Sequence, residues 1–488
     1  MQDIEELFNL RKKTFTKSDK TLIKKAYNFA KEAHGGQKRD SGQPYFSHVF
    51  ETAKNLIKLG MEANVIAAGL LHDTIEDTKT TEEDLKREFG EEIAFWVKGV
   101  TKLKRLNYQG HEHYHERYVE NLRKFFLAMA SDLRVVIIKL ADRLHNVQNL
   151  KYKNKEKQKH IALETIEIHA RIADRLGMGK LKGELEDAAF PFAYPKEYQL
   201  TEKILKKRQS LYEEYLKEIQ KKLTEELHKQ KIKPFEIDSR VKHKYSLYQK
   251  LVKYDMDLDR IYDIVALRVI VETVEDCYAV LGLIHSIWNP LPGRIKDYIA
   301  LPKLNGYRSL HTTIFTGSGG IAEIQIRTKE MHAEAEYGIA AHSIYKEQSN
   351  KKTKFKWIEE LKELKYTPNE PKKFTEHLKM DFFNDRIFVF TPKGDVIDLP
   401  QDSSPIDFAY SIHSDIGNHV SSVKINNKIA TLGVKLKNSD IIEIITRKEA
   451  HPSNKWLEYA KTTIAKKHIR IYLEKNSLLS KLKSFGKN

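Results

Sequence analysis

The chain has 488 residues, 40% hydrophobic and 31% charged, which indicates about three domains and excludes a wholly disordered chain. Its 85 lysines and arginines against 68 aspartates and glutamates give a formal net charge of +17, which favours polyanionic ligands such as nucleotides or nucleic acid. The single cysteine excludes a disulfide framework and a cysteine-based zinc finger, and the acidic start without a long apolar run predicts a cytoplasmic, soluble chain with no membrane span.

The first part of the chain, residues 1–197, is predicted to be an all-α domain. Apolar residues recur three and four apart in stretches such as TLIKKAYNFAKEA and DLRVVIIKLADRLHNV. Residues 198–233 mix both charges with regular leucine and isoleucine, so we expect a connecting hairpin of charged helices.

The second part of the chain changes period after Pro234. Short β-branched runs alternate with helical segments and turn-rich stretches, which predicts a mixed α/β domain over residues 234–346. Residues 347–381 are lysine-rich with two prolines and are interpreted as a linker. Residues 382–446 are predicted to be a small β-rich domain around one helix. Residues 447–488 carry eleven lysines and arginines against three glutamates and are predicted to be a basic helical tail, with a solvated helix as the alternative interpretation.

A set of histidines and aspartates in the helical domain predicts a metal site. Its members are His48, His72, Asp73 and Asp142. Nitrogen and oxygen donors on three helices can hold one divalent ion, and they suit Mn²⁺, Fe²⁺ or Zn²⁺ better than Ca²⁺. Asp73, Glu76 and Asp77 lie at i, i+3 and i+4, so we expect one helix to carry these carboxylates on one face. The alternative is that the His-Asp pair only caps a core helix. The histidines at positions 111, 113 and 115 are interpreted as a solvated loop.

A second constellation lies in the α/β domain. Basic residues cluster in SRVKHKYSLYQK, and two acids, Asp263 and Glu323, stand within apolar strand-like runs. Cations neutralise the phosphates in phosphoryl transfer, and paired acids at one cleft can bind Mg²⁺. Such a basic cluster alone is more often a solvated face, and the two acids are what favour a phosphate site. No GxxxxGK[ST] motif occurs, so an ordinary P-loop NTPase is excluded.

The helical domain resembles the hydrolase domain of the RelA/SpoT family of bifunctional (p)ppGpp synthetase/hydrolases. The similar stretches include AHGGQKRDSGQPYFSH, LLHDTIEDT, KLADRLHN and ETIEIHARIADRLGMGKLKGELED. The resemblance implies removal of the 3′ pyrophosphate of ppGpp, with Mn²⁺ bound by the four ligands above. It implies that Glu76 and Asp77 position or deprotonate the attacking water and that Arg39 and Asn146 contact the nucleotide. Asp40 replaces a common lysine of the family, a departure that leaves every ligand in place.

The α/β domain resembles the synthetase domain of the same family in DIVALRVIV, PGRIKDYIALPKLNGYRSLHTTI, EIQIRT and MHAEAEYGIAAH. The implied reaction moves pyrophosphate from ATP to the 3′ hydroxyl of GDP or GTP. By the resemblance Asp263 carries Mg²⁺, and Glu323 assists it or acts as the base. The implied ATP contacts are Arg240, Lys242, Lys250 and Arg268, the last stacking on adenine. The implied acceptor contacts are Lys303, Asn305, Tyr307, which stacks on guanine, and His311.

Two further segments refine this interpretation. Arg294 to Asp297, which contains the predicted nucleotide contact Lys296, resembles the form found in bifunctional members. Residues 382–446 resemble a TGS domain, a β-grasp module that meets the 3′ end of uncharged tRNA in the family, and His413 matches the histidine at that contact. The zinc-binding and ACT-like modules of long members are not in this sequence.

The sequence therefore predicts a bifunctional alarmone enzyme of the stringent response, with ATP, GDP or GTP and (p)ppGpp as ligands. Uncharged tRNA or the ribosome is the candidate partner of the TGS domain, and the oligomeric state stays open. Two alternatives are a protein with one degenerate catalytic half and a tRNA- or ribosome-binding sensor whose catalytic folds have decayed. Two opposing reactions on one chain would form a futile cycle, so we expect negative coupling between the sites.

Overall fold

The computed structural model describes residues 3–10, 15–104, 132–232, 235–261, 264–303, 305–316, 320–340 and 386–485. The chain divides into two compact units; among the described residues, the first holds 3–340 and the second 386–485. The predicted fold classes, all-α, mixed α/β and small β-rich, are confirmed. The predicted linker, the loop at 111–115 and Asp263 lie outside the described residues. Among the described helices, none has the length and apolar character needed to cross a bilayer.

The helical domain packs around the helices Phe46–Lys58, Ala63–Leu71 and Leu133–Gln148. Its first helices are α1 (Ile4–Asn9), α2 (Lys17–Ala33), α3 (Phe46–Lys58), α4 (Ala63–Leu71), α5 (Thr74–Asp77), α6 (Glu82–Phe89) and α7 (Glu91–Lys104). It continues with α8 (Leu133–Gln148), a 3₁₀ turn (Leu150–Tyr152), α9 (Lys155–Glu164), a π-helix (Thr165–His169), α10 (Ala170–Arg175) and α11 (Gly179–Ala193). Phe50, Leu56, Ile66 and Leu70 are fully buried where α3 packs against α4 and α8.

Local sequence determines where several helices begin. Thr16 caps α2 and Thr81 caps α6, each paired with an aspartate three residues later in a reciprocal capping box. Asp132 caps α8 by accepting a hydrogen bond from the backbone N–H of Arg134 at 2.8 Å. These caps fix the starts of α2, α6 and α8, of which α8 carries Asp142, because they satisfy backbone donors that have no partner within the helix.

The connection between the helical and α/β domains is a single helix, α12 (Pro195–Lys229). The predicted helical hairpin is therefore wrong. No glycine or proline follows Pro195 before residue 229, so the segment contains no residue that would break the helix. Leu216, Leu223 and Leu227 of α12 are buried against the α/β core.

The α/β domain is built on one five-stranded sheet. Its elements are β1 (Glu236–Val241), α13 (Lys244–Lys253), a 3₁₀ turn (Leu258–Arg260), β2 (Val265–Val271), α14 (Val274–Ile287), β3 (Lys296–Asp297), β4 (Leu310–Phe315), β5 (Ile321–Thr328), α15 (Lys329–Tyr337) and a 3₁₀ turn (Gly338–Ala340). The strands follow the order β1-β2-β5-β4-β3 across the sheet. β2 and β5 are parallel, and the other pairs are antiparallel. One face buries Leu267 and Val269 of β2 and Ile324 and Ile326 of β5 in a core shared with α12 and α14, which leaves the opposite face for polar chemistry.

The second unit contains the small β-rich domain and the start of the tail. Its elements are β6 (Arg386–Phe390), β7 (Val396–Pro400), α16 (Pro405–Ile412), α17 (Ser414–Asn418), β8 (Val420–Ile425), β9 (Lys428–Ala430), β10 (Ile442–Thr446), α18 (Asn454–Tyr459) and α19 (Thr463–Phe485). Strands β10, β8 and β9 form one sheet, and β6 and β7 pair as a hairpin. Trp456, Ala465 and Ile469 pack on Ile406 and Tyr410, so the tail begins as part of the core of this unit.

Candidate active sites

The four predicted metal ligands converge in the helical domain. His48 lies in α3, His72 and Asp73 lie between α4 and α5, and Asp142 lies in α8, and each is at most 2% exposed. The Nε2 atom of His48 is 3.3 Å from Oδ2 of Asp73 and 3.1 Å from Oδ1 of Asp142. The Nε2 atom of His72 is 3.3 Å and 3.8 Å from the same two oxygens. Each imidazole therefore faces both carboxylates.

The His-Asp pair reaches this centre because the helix breaks there. α4 ends at Leu71, His72 and Asp73 form a turn, and a four-residue helix follows. The Nδ1 atom of His72 is 2.8 Å from the carbonyl oxygen of Gly69, which directs Nε2 inward. The expectation that one helix carries Asp73, Glu76 and Asp77 is therefore wrong in detail: α5 carries Glu76 and Asp77, and Asp73 is its N-cap residue.

The donor set fits a divalent cation. The Nε2 atom of His72 is buried and makes no hydrogen bond, although carboxylate oxygens lie nearby. Burial alone would raise the pKa of Asp142, but Lys139 and the neighbouring imidazoles hold it well below the ordinary value. Buried carboxylates without a compensating cation are costly, and nitrogen and oxygen donors in this number can bind a transition ion. The predicted ligands His48, His72 and Asp73 have donor atoms within 4.8 Å of one another. Asp142 is not part of that group and joins it only through its contacts with the two imidazoles.

The predicted nucleotide contacts of the hydrolase site lie beside the ligands. The Nη2 atom of Arg39 donates to Oδ1 of Asn146 at 2.6 Å, so these two residues are brought together. Glu76 and Asp77 are both half-buried in α5. Tyr45, which the sequence interpretation did not include, places its hydroxyl 2.8 Å from Oδ2 of Asp73 and 2.6 Å from Oδ2 of Asp77. Burial and the Asp73 carboxylate raise the pKa of Tyr45, so the hydroxyl remains a donor.

Two signals in the sequence point to residues that were missed. Tyr45 precedes His48 by three positions, and His145 follows Asp142 by three. Residues three apart share a helix face. The choice of His48 and Asp142 as ligands therefore makes Tyr45 and His145 candidates for the same site.

The polar face of the α/β sheet carries the second candidate site. One register row crosses all five strands and contains Asp238, Arg268, Gln325, His311 and Lys296. The adjacent row places Arg240, Glu323 and Thr313 on the same face. Side chains alternate between the faces of a strand, so this register collects predicted residues from distant parts of the sequence.

A cleft opens on this face. It is lined by Lys250, Tyr254, Arg260, Arg294, Lys296, His311, Thr313 and Glu323. Four predicted residues therefore share one cleft with Tyr254, Arg260 and Thr313, which the sequence interpretation missed. The carboxylate of Glu323 lies 3.2 Å from Nδ1 of His311 and accepts from Nε2 of Gln325 at 2.9 Å.

The predicted acceptor residues form one loop and the strand after it. Lys303 and Tyr307 close the turn through a 3.1 Å backbone hydrogen bond, and Oδ1 of Asn305 accepts from the backbone N–H of Tyr307 at 3.2 Å. The hydroxyl of Tyr307 is 2.7 Å from Nε2 of His311. The ammonium of Lys303 lies 5.2 Å from the centre of the Tyr307 ring. Tyr307 is half-buried, which distinguishes it from an ordinary surface turn residue.

The remaining predicted contacts are dispersed around this cleft. Arg240 donates to Oε1 of Gln325 at 3.4 Å, and Lys242 follows β1 and is half-buried. Arg268 is 8% exposed and donates to Oε1 of Glu336 at 3.0 Å, so its guanidinium is held by an acid of α15. In the second unit, His413 is exposed and caps α17 by accepting from the backbone N–H of Asp415.

The folds and sites describe a multidomain protein with one site of metal-binding character and one of phosphate-binding character. The chain matches the HD domain over residues 26–179, the region found in RelA/SpoT proteins over 239–350 and the TGS domain over 387–446. It belongs to the RelA/SpoT family.

Curated relatives carry names for both reactions. A GTP pyrophosphokinase of Myxococcus xanthus is 45% identical over 460 residues, which are 93% of this chain and 61% of that protein. A guanosine-3′,5′-bis(diphosphate) 3′-pyrophosphohydrolase of Aquifex aeolicus is 46% identical over 456 residues, which are 93% of this chain and 64% of that protein. The chain thus spans less than two thirds of the length of these relatives. Among solved structures, small alarmone synthetase 2 from Bacillus subtilis matches 36% of this chain and 92% of its own at 30% identity, with a TM-score of 0.25.

Proposed function

We propose that this protein is a bifunctional alarmone enzyme that makes and degrades (p)ppGpp at two separate sites. The observation that carries the proposal is the retention of both constellations: four buried ligands around one centre in the helical domain, and a basic cleft with Glu323 in the α/β domain. Relatives named for each of the two activities support the pairing of both on one chain.

In the proposed hydrolysis, water attacks the phosphorus attached to the 3′ oxygen of ppGpp, which releases pyrophosphate and leaves GDP. His48, His72, Asp73 and Asp142 would hold Mn²⁺, which supplies a bound water of lowered pKa. Glu76 and Asp77 stand next to these ligands, where a carboxylate can position that water and accept its proton. Tyr45 ties Asp77 to Asp73 and so fixes the acid relative to the metal centre.

In the proposed synthesis, the 3′ hydroxyl of GDP or GTP attacks the β-phosphorus of ATP, and AMP leaves. Asp263 and Glu323 would hold Mg²⁺, which neutralises charge on the phosphates. Lys250, Arg294 and Lys296 bring three cations into the cleft with Glu323. The contact between Glu323 and His311 places an acid and a proton-carrying ring beside the predicted acceptor loop. Arg240, Lys242 and Arg268 are proposed for ATP, and Lys303, Asn305 and Tyr307 for the guanine nucleotide.

We also propose uncharged tRNA as a partner of the second unit. His413 is exposed at the start of α17, and the tail that packs beside it is basic. Phosphate contacts predict that tRNA affinity falls steeply with salt concentration. An affinity that does not change with salt would contradict this contact.

The function is tested by incubating the protein with ATP, GDP and Mg²⁺, and separately with ppGpp and Mn²⁺, followed by nucleotide chromatography. We expect ppGpp in the first reaction and GDP in the second. Asp77→Ala should abolish only hydrolysis, and Asp263→Ala should abolish only synthesis. If the unmodified protein shows only one of the two activities, the other catalytic half is degenerate. If it shows neither activity but binds tRNA, the result favours the alternative of a tRNA-binding sensor.

A further inference from the structure

His145 lies between a predicted metal ligand and a predicted nucleotide contact, and the reaction proposed above gives it no role. The residue belongs to α8 and is 9% exposed. Its Nδ1 atom is 2.7 Å from Nδ1 of His48 and 3.2 Å from Nη1 of Arg39. The Nδ1 atom of His145 therefore faces two groups, Arg39 and His48, that could each donate a hydrogen bond to it.

The chemistry of the three groups determines which of them donates. A guanidinium N–H can only donate a hydrogen bond, so Nδ1 of His145 must be the acceptor from Arg39. A nitrogen that accepts there carries a lone pair and cannot donate to His48. The Nδ1 atom of His48 must therefore carry the proton and donate across the 2.7 Å contact. A neutral imidazole has one N–H, so the Nε2 atom of His48 keeps its lone pair.

That lone pair is the one a metal ion would use. The Nε2 atom of His48 faces Asp73 at 3.3 Å and Asp142 at 3.1 Å. The Nδ2 atom of Asn149 donates to the backbone carbonyl of His145 at 2.9 Å and lies 3.1 Å from Nε2 of the ring. Because Nδ1 accepts, Nε2 of His145 carries the ring proton, so this tautomer requires the amide oxygen of Asn149 to turn toward Nε2. Arg39, His145 and His48 thus form a chain of hydrogen bonds that ends at the centre of the ligand set.

We infer that His145 is a positioning residue of the metal centre, which selects the tautomer and ring orientation of His48. The inference rests on the metal centre proposed above. Partners of this kind orient metal-binding histidines and tune their affinity for the ion. The other ligand, His72, is oriented by the backbone carbonyl of Gly69 at 2.8 Å. A side-chain substitution can therefore remove the partner of His48 without touching that of His72.

The test is Mn²⁺ binding by the full chain without nucleotide, followed through the electron paramagnetic resonance of free Mn²⁺. The variant His72→Ala lacks one of the proposed ligands, so the Mn²⁺ binding that it loses is the binding at this centre. We expect His145→Leu, which has no acceptor, to weaken Mn²⁺ binding at this centre by about tenfold or more. His145→Gln should recover most of the affinity, because its Oε1 atom can accept the hydrogen bond from His48.

His169→Leu is the matched control. His169 is a buried histidine of the same domain, 3% exposed, and its Nδ1 atom contacts the carbonyl oxygen of Glu164 at 3.3 Å. This variant should keep the affinity for Mn²⁺, and pyrophosphate transfer at the other site reports folding in every variant. Unchanged binding in His145→Leu, or equal loss in the leucine and glutamine variants, would overturn the inference. Equal binding by the unmodified protein and His72→Ala would reject the metal centre and the role of His145 with it.

Discussion

At the residue scale, the Tyr45 hydroxyl connects a proposed metal ligand to a proposed acid. We expect Tyr45→Phe to lower kcat for ppGpp hydrolysis about tenfold or more, with a smaller change in KM, because a lost positioning contact acts mainly in the transition state. The phenyl ring keeps the volume of the side chain, so the helical domain should remain folded. Steady-state hydrolysis with Mn²⁺ measures both constants.

The control for this change is Tyr194→Phe. Tyr194 is half-buried in the same unit, and its ring stacks on that of Tyr245 with 6.3 Å between the ring centres. It is more than 50 residues from each predicted metal ligand in the sequence. It should leave hydrolysis unchanged. A rise in KM without a fall in kcat for Tyr45→Phe would assign the hydroxyl to nucleotide binding and contradict the positioning role.

The residue scale also shows what the sequence could predict. His48, His72, Asp73 and Asp142 could be chosen from residue type and apolar context, and the structure places all four together. The roles of Tyr45 and His145 depend on contacts between residues 28 and 97 positions apart. Such contacts follow from how helices pack, which no local pattern encodes. Asp263 stays a prediction because it lies outside the described residues.

At the element scale, the π-helix Thr165–His169 buries a histidine that should make stability depend on pH. Burial, followed by the Arg143 charge, lowers the pKa of His169 from 6.5 to about 3. In the unfolded chain His169 takes up a proton below about pH 6.5, whereas in the folded chain it does not. The free energy of unfolding therefore has its full value above pH 6.5 and falls as the pH drops toward 3. The slope for one such group is at most about 1.4 kcal/mol per pH unit.

This dependence can be checked by thermal unfolding of His169→Gln at pH 7.5 and 5.5. The variant should lose about 1 kcal/mol less stability than the unmodified protein across that interval. His228→Gln, an exposed histidine of α12, is the control and should lose as much as the unmodified protein. Identical losses for His169→Gln and the unmodified protein would show that His169 does not carry the effect.

A second prediction at this scale concerns the contact of the tail with the β-rich domain. Asp407 of α16 is 1% exposed, and its carboxylate accepts hydrogen bonds from the backbone N–H groups of Ser404, Lys461 and Thr462 at 2.7–3.0 Å. Asp407→Ala leaves these buried donors without a partner and should destabilise the contact by about 3 kcal/mol. Faster amide hydrogen exchange at the start of α19 measures this loss.

The matched variant is Asp402→Ala, which removes a 47% exposed carboxylate that pairs only with Lys435 among the described ion pairs. Exchange in α19 should not change there, because exposed pairs contribute little. Protection of α19 that survives Asp407→Ala would mean that apolar packing of Trp456 and Ile469 alone holds the tail.

Elements differ in how well the sequence specified them. The capped helices α2 and α6 were readable from Thr-x-x-Asp, and the sheet from its β-branched runs. The sequence of residues 198–233 predicts helix correctly but not its course, because hydrophobic periodicity shows where a helix face lies and not whether the chain turns back. The helix also breaks after Leu71, at His72 and Asp73, and no glycine or proline in LLHDTIEDT signals that break.

At the scale of the whole first unit, the helical and α/β domains touch through glycines beside the proposed acceptor loop. Gly177 has φ +72°, and a Cβ atom there would lie 2.8 Å from the carbonyl oxygen of Asn305. The backbone N–H of Ile339 donates to the carbonyl of Leu176 at 3.0 Å, where Gly338 leaves no room for a side chain. The turn after α10 thus lies against the loop proposed to bind the guanine nucleotide.

Gly177→Ala should therefore disturb synthesis from within the hydrolase domain. Both the positive φ and the short Cβ contact force the turn or the loop to move. We expect the KM for GDP to rise several-fold, with ppGpp hydrolysis retained. Gly282→Ala, in α14 with no atom within 4 Å of the added Cβ, is the matched control and should change neither reaction. A normal KM for GDP in Gly177→Ala would show that the contact does not shape the loop.

The same contact makes negative coupling between the sites testable. Binding of GDP in the synthetase cleft should order the loop at Asn305 and, through Gly177, alter the hydrolase domain, so added GDP should lower the hydrolysis rate. GDP is also the product of hydrolysis, so Tyr307→Ala, which removes the proposed guanine platform, separates the two effects. Inhibition should weaken in Tyr307→Ala and in Gly177→Ala. An identical GDP response in the unmodified protein and Tyr307→Ala would mean simple product inhibition and would refute the coupling.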